Sequence, residues 1–415
     1  MAPFFPHRSV CAEAGFFDVG VWLEVTVLKQ SYLIGVLFST SGPYALLGRD
    51  ALDGALMAIA EVNDDQSFPF SLAPLTGDPA GIADRYQTIA ERLIAGGARH
   101  IVGGITSWSR KEMIPVVERR NALLWYPCPY EGYECSDRVV YTGACPNQHI
   151  VPLFAHLVPR FGARAFLVGS NYIWGWETNR IARKLLEDRG GSVLGERYLP
   201  LGHEDVDRIV AEIEETRPDF ILNNLIGPSS YAFLKAMAEL ARRKPDFSAD
   251  RRPVASCDLA ECELAQVGEA GIGHYATAVY FDSLDTDANR AFLARVHRRF
   301  GHRRRVSAFF VCAYMSVRML AEAIRETGSE EPETILSVLP ARAFDSPMGA
   351  LTVSNRTHHT AFAPLLATIG EDNTFRVVER APAAIEPDPY LSEYVSGATA
   401  APREAAPRRF RVVGS

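Results

Sequence analysis

Short apolar runs alternate with helix-like patterns along most of the chain, and this alternation limits the fold more than any other feature. The runs that read as strands are 32–39 (YLIGVLFS), 100–105, 122–126, 164–170, 192–200 and 219–225. Between them, apolar residues recur at helix spacing, as Leu52, Leu56, Ile59 and Val62 do within a helix predicted over 49–62. Strand–helix alternation builds parallel sheets with right-handed crossovers. We therefore predict an α/β fold of two doubly wound parallel-sheet domains.

The segment from residue 276 onward is too short for a third domain of this kind. It offers one strand (276–281), a long helix (307–326) and two late strands (349–354 and 375–380). These elements are expected to return to the first two domains, which implies several crossings and a hinge. The expected division is a first lobe of 31–150 plus 276–345, a second lobe of 151–275 plus 346–390, an extension over 1–30 and a tail over 391–415.

The composition of the chain excludes some classes of function. The net charge of -7 argues against a broad nucleic-acid surface. No apolar stretch reaches the length of a membrane span, and Glu13, Asp18 and Glu24 interrupt any leader-like run near the start. We predict a cytoplasmic protein, with a periplasmic one as the alternative if the true N-terminus differs. Seven cysteines without C-x-x-C spacing predict reduced thiols, although a pair such as Cys135–Cys145 stays open.

The chemistry of an enzyme is missing from the sequence patterns. GGITSWS is not a nucleophile elbow, GDPAG (77–81) is not a phosphate-binding loop, and no metal-ligand spacing occurs. Cys128 could serve as a nucleophile only with a nearby base, and no histidine is placed to act as one. A small pocket-wall residue is the better interpretation of Cys128. We predict a protein without catalytic residues, metal or cofactor.

Hydroxyl and aromatic residues follow the predicted strands, where open parallel sheets bind their ligands. Thr106 and Ser107 follow the strand 100–105, and Tyr172 and Trp174 follow the strand 164–170. Ser107 could cap the next helix or bind a ligand oxygen at its N-terminus, while Ser109 with Glu112 offers an alternative capping box. Such groups suit a small, partly apolar, neutral molecule.

The stretch LLWYPCPYEGYEC (123–135) adds a loop stiffened by two prolines and loaded with aromatic rings. Together with GGITSWSRKEMIPVVER (103–119), YTGACPNQ (141–148), GSNYIWGWETN (169–179) and YFDSLDTDANRAFL (280–293), it resembles the type I periplasmic-binding-protein family. The similarity is to the branch that binds urea and short-chain amides, including its amide-sensing negative regulators of amidase expression. It runs from about Tyr32 to Tyr390. The fold it implies is two lobes joined by three crossings, which close on a ligand.

The resemblance also implies which residues meet the ligand. By motif position, the ligand-binding serine is Ser107, the tyrosine before the proline loop is Tyr126, and the residue after that proline is Cys128, where the amide sensors have threonine. Further positions expected to face the cleft are Thr106, Tyr172, Trp174, Gly227, Ser229, Glu261 and Tyr280. Tyr280 and Phe281 could instead pack at the hinge.

The implied function is ligand sensing. We expect a neutral amide or urea-like ligand in the cleft, with the chain holding an RNA-binding antiterminator protein inactive until the ligand arrives. The alternative is a substrate-binding component of an ABC transporter, whose partner is the permease. We expect a homo-oligomer, with no direct nucleic-acid contact and no membrane insertion.

Overall fold

The computed structural model describes residues 29–392 of the 415-residue chain. The expected extension over 1–30 and tail over 391–415 therefore lie almost wholly outside the described residues. The strands are β1 Gln30–Leu37, β2 Phe70–Gly77, β3 His100–Gly103, β4 Leu123–Tyr126, β5 Val139–Tyr141, β6 Arg164–Ser170, β7 Ser192–Leu199, β8 Phe220–Asn224, β9 Val254–Ser256, β10 Tyr275–Ala278, β11 Thr352–Val353, β12 Thr360–Ala361, β13 Leu365–Ile369 and β14 Phe375–Arg380. The helices are α1 Ala45–Asp64, α2 Ala83–Ala95, α3 Ser107–Arg120, α4 Ile150–Phe161, α5 Ile173–Glu187, α6 Asp207–Thr216, α7 Pro228–Arg243, α8 Leu264–Val267, α9 Asp287–Phe300, α10 Ala308–Thr327 and α11 Pro332–Val338.

The first lobe is built on a five-stranded parallel sheet in the order β2-β1-β3-β4-β5. Its inner strands are apolar and fully buried because helices cover both faces; Ile34, Val36 and Ile101 have no exposed surface. The strand order reverses between β1 and β3. In doubly wound sheets, the crevice beyond such a reversal is where ligands bind.

The second lobe repeats the same order. Its seven-stranded sheet runs β14-β13-β10-β9-β8-β6-β7, and the strands β6 to β10 are parallel. The late strands β13 and β14 add antiparallel at one edge. The reversal here lies between β6 and β8. The predicted fold class, two α/β domains with mostly parallel sheets, is confirmed.

The chain passes three times between the lobes. It leaves the first sheet after β5, returns after β10, and leaves again after β12, since His359 forms a parallel bridge with Tyr141 of β5. The last two crossings therefore follow Ala278 and Ala361, not residues 275 and 345 as the sequence led us to expect. The short β10 belongs to the second sheet because it pairs with β9, and the β11–β12 hairpin lies beside the first sheet.

Two long helices close the first lobe. Helix α10 packs along α1 so tightly that a Cβ at Gly54 would lie 2.2 Å from the carbonyl oxygen of Phe310. Helix α9 joins them through Arg295, whose Nε donates to Glu61 Oε1 at 3.0 Å. Between residues 29 and 392, no helix is long and apolar enough to cross a membrane.

Candidate ligand site between the lobes

The carboxyl ends of the two sheets face each other across a narrow space, which we call the cleft cavity. Its walls lie close together, and only about 20 Å³ of it admits a water-sized sphere. Both lobes supply its lining: Tyr44, Leu47, Ile105, Thr106, Ser107, Cys128, Pro129, Phe309, Tyr172, Trp174, Ile226 and Asp258. The reversals of strand order in both sheets thus open into one space.

Thr106, not Ser107, is the N-cap of α3. Its backbone is extended (φ -143°, ψ 160°), and its side-chain oxygen accepts a hydrogen bond from Ser109 N at 3.0 Å. Ser109 Oγ in turn accepts from Thr106 N at 2.9 Å. This reciprocal capping box corrects two expectations. Ser107 is the first helical residue, and Ser109 rather than Glu112 completes the box, because Ser109 occupies the third position of the helix.

The hydroxyl of Ser107 is already engaged. It donates to Oε2 of Glu131, while Arg110 Nη2 donates to Glu131 Oε1 at 2.8 Å. Arg110 Nε also reaches Glu134 Oε1 at 2.5 Å, and Lys111 Nζ holds the other oxygen of Glu134 at 2.6 Å. Burial opposes ionisation of Glu134, but Arg110 and Lys111 hold its pKa below the ordinary value. Two carboxylates therefore balance two cations behind this wall.

Tyr126 is not among the residues that line the cavity, contrary to expectation, and its buried hydroxyl has no hydrogen-bond partner among residues 29–392. Strand β4 carries its side chain into the first lobe, where it is fully buried. The guanidinium of Arg110 stands 5.0 Å from its ring centroid, and the ring of Tyr130 packs edge-on at 6.5 Å. Burial raises the pKa of the Tyr126 hydroxyl far above its ordinary value. The ring of Tyr126 thus packs against Arg110 and Tyr130 in the interior of the first lobe.

The proline loop after β4 forms the wall beside Ser107. Cys128 and Pro129 line the cleft cavity, and Cys128 Sγ donates to the carbonyl oxygen of Gly104 at 3.2 Å. Burial raises the pKa of the Cys128 thiol well above its ordinary value. A protonated thiol is a poor nucleophile. The arrangement fits the interpretation of Cys128 as a small wall residue.

The start of α5 forms the facing wall of the second lobe. Tyr172 is its N-cap, and its ring lies 5.2 Å from that of Trp108 in the first lobe, which is partly exposed. Trp174 is buried, and its Nε1 has no hydrogen-bond partner among residues 29–392. By contrast, Nε1 of the exposed Trp176 donates to Asn171 Oδ1 at 3.1 Å. Trp174 therefore brings an uncommitted donor to the cavity wall.

Asp258 is the acidic group of the cleft cavity, and sequence analysis did not identify it. Its Oδ1 accepts a hydrogen bond from Ser256 Oγ at 2.6 Å. Burial raises the pKa of Asp258 to about 7, against the effect of that hydrogen bond. The described lining of the cavity contains no Lys or Arg. The carboxyl group thus faces the cavity without a cationic partner in its walls.

A second space, the hinge-side cavity, adjoins the first and admits a water-sized sphere over about 20 Å³, the same as the cleft cavity. The cavities share three lining residues, Pro129, Asp258 and Phe309. Glu261 and Tyr280, both expected at the ligand site, line this second space instead. Glu261 Oε1 accepts from Asp282 N at 2.9 Å, and the Tyr280 hydroxyl donates to Asn289 Oδ1 at 2.8 Å. Their polar groups already form hydrogen bonds within the protein, so Glu261 and Tyr280 serve as walls of this space.

Gly227 and Ser229 lie at the N-terminus of α7 and are not among the lining residues of either cavity. Gly227 has φ 59°, and a Cβ added there would lie 2.5 Å from the carbonyl oxygen of Pro43 in the first lobe. Ser229 is fully buried, and its Oγ has no partner in the described part of the chain. Gly227 therefore permits the close approach of the lobes.

Sequence reasoning missed several wall residues for identifiable reasons. Tyr44 lies seven residues beyond the end of β1, after the polar residues Ser39 to Ser41. Asp258 follows β9, whose three residues are too few for an apolar run to stand out. Phe309 comes from α10, to which no strand-end rule points. Had β9 been recognised, the same rule would have singled out Asp258.

Six cysteines lie within residues 29–392, and all six are unpaired. Cys135 Sγ contacts the carbonyl oxygen of Thr357 at 3.5 Å, whereas Cys145 Sγ donates to Asn147 Oδ1 at 3.0 Å. The Cys135–Cys145 pair that the sequence left open is therefore not formed.

Known proteins resemble this chain in sequence and in fold. The leucine-, isoleucine-, valine-, threonine- and alanine-binding protein of Pseudomonas aeruginosa is 23% identical over 327 residues, covering 75% of this chain and 82% of that protein. A limonene hydroxylase of Geobacillus stearothermophilus is 28% identical over 123 residues, but this covers only 30% of the chain and 22% of the hydroxylase. Apart from that partial match, the relatives are binding proteins rather than enzymes.

Solved structures extend the likeness in fold. A solute-binding protein of an ABC transporter from Rhodopseudomonas palustris, in complex with p-hydroxybenzoic acid, superposes with a TM-score of 0.78 at 22% identity, covering 88% of this chain and all (100%) of that one. An amino-acid ABC transporter substrate-binding protein from Pseudomonas fluorescens gives a TM-score of 0.74 at 19% identity, covering 90% and 100%. The model of the periplasmic binding protein domain family matches residues 32–396. Since that match spans most of its length, the chain belongs to the periplasmic binding protein domain family.

Proposed function

We propose that the chain binds a small uncharged ligand with both hydrogen-bond donors and an acceptor, of the short-chain amide or urea type, in the cleft cavity. One observation carries the proposal. The lining of the cavity holds the carboxyl group of Asp258 and the indole of Trp174, whose Nε1 has no partner among residues 29–392, and it contains no Lys or Arg.

The chemistry of an amide matches these two groups. Its N–H₂ group can donate to the Asp258 carboxylate, and its carbonyl oxygen can accept from Trp174 Nε1. A buried donor left unpaired costs about 1–3 kcal/mol, so a ligand whose oxygen accepts from Trp174 Nε1 gains over one that leaves this donor unpaired.

A carboxylate ligand fits this wall less well, although relatives bind carboxylates. The R. palustris protein is in complex with p-hydroxybenzoic acid, and the P. aeruginosa relative is named for amino acids. In this chain, Arg110 lies behind the wall and is shared by Glu131 and Glu134. An anion would therefore meet the acidic Asp258 without a facing cation to offset it.

For the cellular role, we propose delivery of the ligand to an ABC transporter. The binding proteins among the compared structures that name a role are transporter components, which favours delivery over sensing. Cell fractionation and affinity capture distinguish the two. Delivery predicts an exported chain that promotes amide uptake. Sensing predicts a cytoplasmic chain that co-purifies with an RNA-binding antiterminator and releases it when amide is added.

A thermal-shift panel tests the ligand class with the full chain. Acetamide, butyramide, urea, benzoate and leucine are compared at equal concentrations. A ligand at a hundred times its Kd stabilises the native state by about 2.7 kcal/mol, which is a readily measured shift in Tm. We expect amides to raise Tm. A shift with benzoate or leucine but with no amide or urea would contradict the proposal.

Trp174→Phe removes the indole N–H while keeping an aromatic wall. We expect amide affinity to fall roughly three- to tenfold in calorimetric titration, as the loss of one hydrogen bond implies. Trp176→Phe is the matched control, because Trp176 lies on the same helix and its Nε1 is bound to Asn171. Equal amide affinity in the two variants would contradict the assigned role of Trp174.

A further inference from the structure

His149 lines the hinge-side cavity and carries a buried hydrogen-bond acceptor that is unsatisfied within residues 29–392. Its Nε2 lies 2.9 Å from the carbonyl oxygen of Tyr130. Since a carbonyl oxygen only accepts, Nε2 holds the ring proton and donates it. Burial lowers the pKa of His149 to about 4, so the ring is neutral near pH 7. The other nitrogen, Nδ1, is therefore an unprotonated acceptor.

The place of His149 in the fold makes this unsatisfied nitrogen unusual. His149 is the N-cap of α4, where a side-chain acceptor commonly bonds to a backbone N–H of the first turn, but it makes no such bond. The buried His100 shows the usual outcome: its Nε2 donates to the carbonyl oxygen of Glu330 at 2.8 Å, and its Nδ1 accepts from Trp125 Nε1 at 3.2 Å. Because burying an unpaired acceptor is costly, Nδ1 of His149 calls for a partner from outside the protein.

Two polar groups of the candidate ligand site are neighbours of His149. The ring centroid of His149 lies 5.7 Å from that of Trp174, whose Nε1 is the donor without a partner among residues 29–392. Asp258 lines the hinge-side cavity together with His149, and it lines the cleft cavity together with Trp174. Each cavity admits a water-sized sphere over only about 20 Å³, so the site suits a compact polar head group.

From this arrangement we infer that His149 is a specificity-determining residue, whose Nδ1 accepts the amide N–H that lies on the same side as the carbonyl oxygen. The inference rests on the proposed function and narrows its ligand class. The carbonyl oxygen accepts from Trp174 Nε1, the N–H beside it donates to His149, and the remaining N–H donates to Asp258. The cognate ligand is then urea or an amide with an unsubstituted NH₂ group, in preference to an N-alkyl amide.

Calorimetric titration of the full chain with acetamide and N-methylacetamide tests this contact. In the trans form that secondary amides prefer, the methyl group stands beside the carbonyl oxygen, so it replaces the hydrogen assigned to His149. We expect N-methylacetamide to bind roughly tenfold more weakly, because one hydrogen bond is lost. If both ligands bind with equal affinity, the role of His149 is overturned while the proposed function stands. If no amide binds, the proposed function falls and the role of His149 with it.

His149→Phe removes the acceptor and keeps an aromatic ring beside Trp174. The ratio of acetamide affinity to N-methylacetamide affinity should fall at least threefold, because the methylated ligand no longer forfeits a hydrogen bond. A purely structural role of His149 would weaken both ligands alike. His100→Phe is the matched control, because His100 is also buried and also donates to a backbone carbonyl but lines neither cavity. Equal ratios in the two variants would overturn the inference.

A crystal structure of the unmodified full chain with acetamide decides should His149→Phe fail to fold. We expect the acetamide nitrogen within hydrogen-bonding distance of His149 Nδ1, about 3.2 Å or less. A water molecule on Nδ1, with the acetamide nitrogen out of its reach, would overturn the inference.

Discussion

At the scale of the residue, the interior of the first lobe holds a charged pair one layer behind the cleft cavity. Arg110 and Glu131 are both essentially unexposed, and Arg110 also lies 4.5 Å from the ring centroid of Tyr130. Hydrogen bonds from Ser107 and contacts with aromatic rings compensate for their burial. Such a pair fixes the position of Ser107 more than it raises stability, because desolvation offsets much of the attraction.

Removing one partner of the Arg110–Glu131 pair should strongly lower the free energy of unfolding. Arg110→Met leaves Glu131 charged and buried, and removing one partner of a buried pair typically costs about 3–5 kcal/mol. Urea denaturation measures the loss in free energy of unfolding. The double variant Arg110→Met/Glu131→Gln should recover part of it, because the unpaired charge is gone. A double variant no more stable than the single one would contradict this account.

Asp258 predicts a pH dependence of known sign. Its pKa in the folded state is about 7, raised from an ordinary value near 3.8, so folding favours the protonated form. The contribution of Asp258 to stability is therefore present at low pH and is lost as pH rises toward and through 7. Compared with Asp258→Asn, the unmodified protein should lose relative stability between about pH 4 and pH 7, the two pKa values, and should change little above that. Thermal denaturation across that range, with the exposed Asp205→Asn as control, measures the difference. A difference that does not change with pH would contradict the raised pKa.

The residue scale also shows what sequence could and could not predict of the site. Thr106, Ser107, Cys128, Tyr172 and Trp174 line the cleft cavity, and each follows a predicted strand. That they bind a ligand stays a prediction. The partners that commit the Ser107 hydroxyl are not local in sequence: Glu131 lies 24 residues away. Which hydroxyl groups form hydrogen bonds within the protein depends on tertiary packing, and strand and helix patterns do not encode that packing.

At the scale of the element, strands with strong apolar runs were predictable and weak ones were not. β6 and β14 have the predicted bounds, 164–170 and 375–380. β2 escaped notice because Pro74 interrupts its pattern, and its position at the edge of the sheet is what allows a proline there. Edge position is a property of the assembled sheet, so the sequence of β2 alone does not indicate it.

The contact between α1 and α10 depends on a missing side chain at Gly54. Helix propensity alone would favour Gly54→Ala by about 1 kcal/mol. The new Cβ would, however, lie 2.2 Å from the carbonyl oxygen of Phe310, a backbone atom that cannot turn aside. We expect a net loss of roughly 1–3 kcal/mol in free energy of unfolding, as overpacking costs. A Gly54→Ala variant as stable as the original by urea denaturation would contradict such close packing.

At the scale of the whole molecule, two lobes of the same strand order touch along the cleft. Tyr172 meets Trp108, and the guanidinium of Arg180 stands 4.4 Å from the ring centroid of Tyr133. Gly227 approaches the backbone of Pro43. Such contacts exist only while the lobes are together, so a ligand that binds both lobes shifts the molecule toward this arrangement by its differential affinity.

Gly227→Ala should weaken ligand binding by obstructing the approach of the lobes. Gly268→Ala is a closely matched control, because Gly268 has a similar backbone (φ 60°, ψ -144°, against 59° and -131°) but nothing within 4 Å of an added Cβ. Both variants should lose comparable stability to backbone strain. Only Gly227→Ala should lose amide affinity, roughly tenfold or more, in calorimetric titration. Equal affinity in both variants would contradict closure at this contact.

The two-lobe architecture followed from strand–helix alternation, but the positions of the crossings did not. The chain returns to the first lobe after β10 and leaves it after β12. The apolar pattern of the short strands β10 and β12 does not indicate which sheet each of them joins. Which sheet such a short strand joins is settled by packing between segments far apart in sequence.

The most direct test of the central claim is a crystal structure of the full chain with butyramide. We expect the amide between the lobes, with its nitrogen at hydrogen-bonding distance from Asp258 and its carbonyl oxygen on Trp174 Nε1. An amide bound on the surface of a single lobe, or a cleft cavity that excludes it at saturating concentration, would contradict the account.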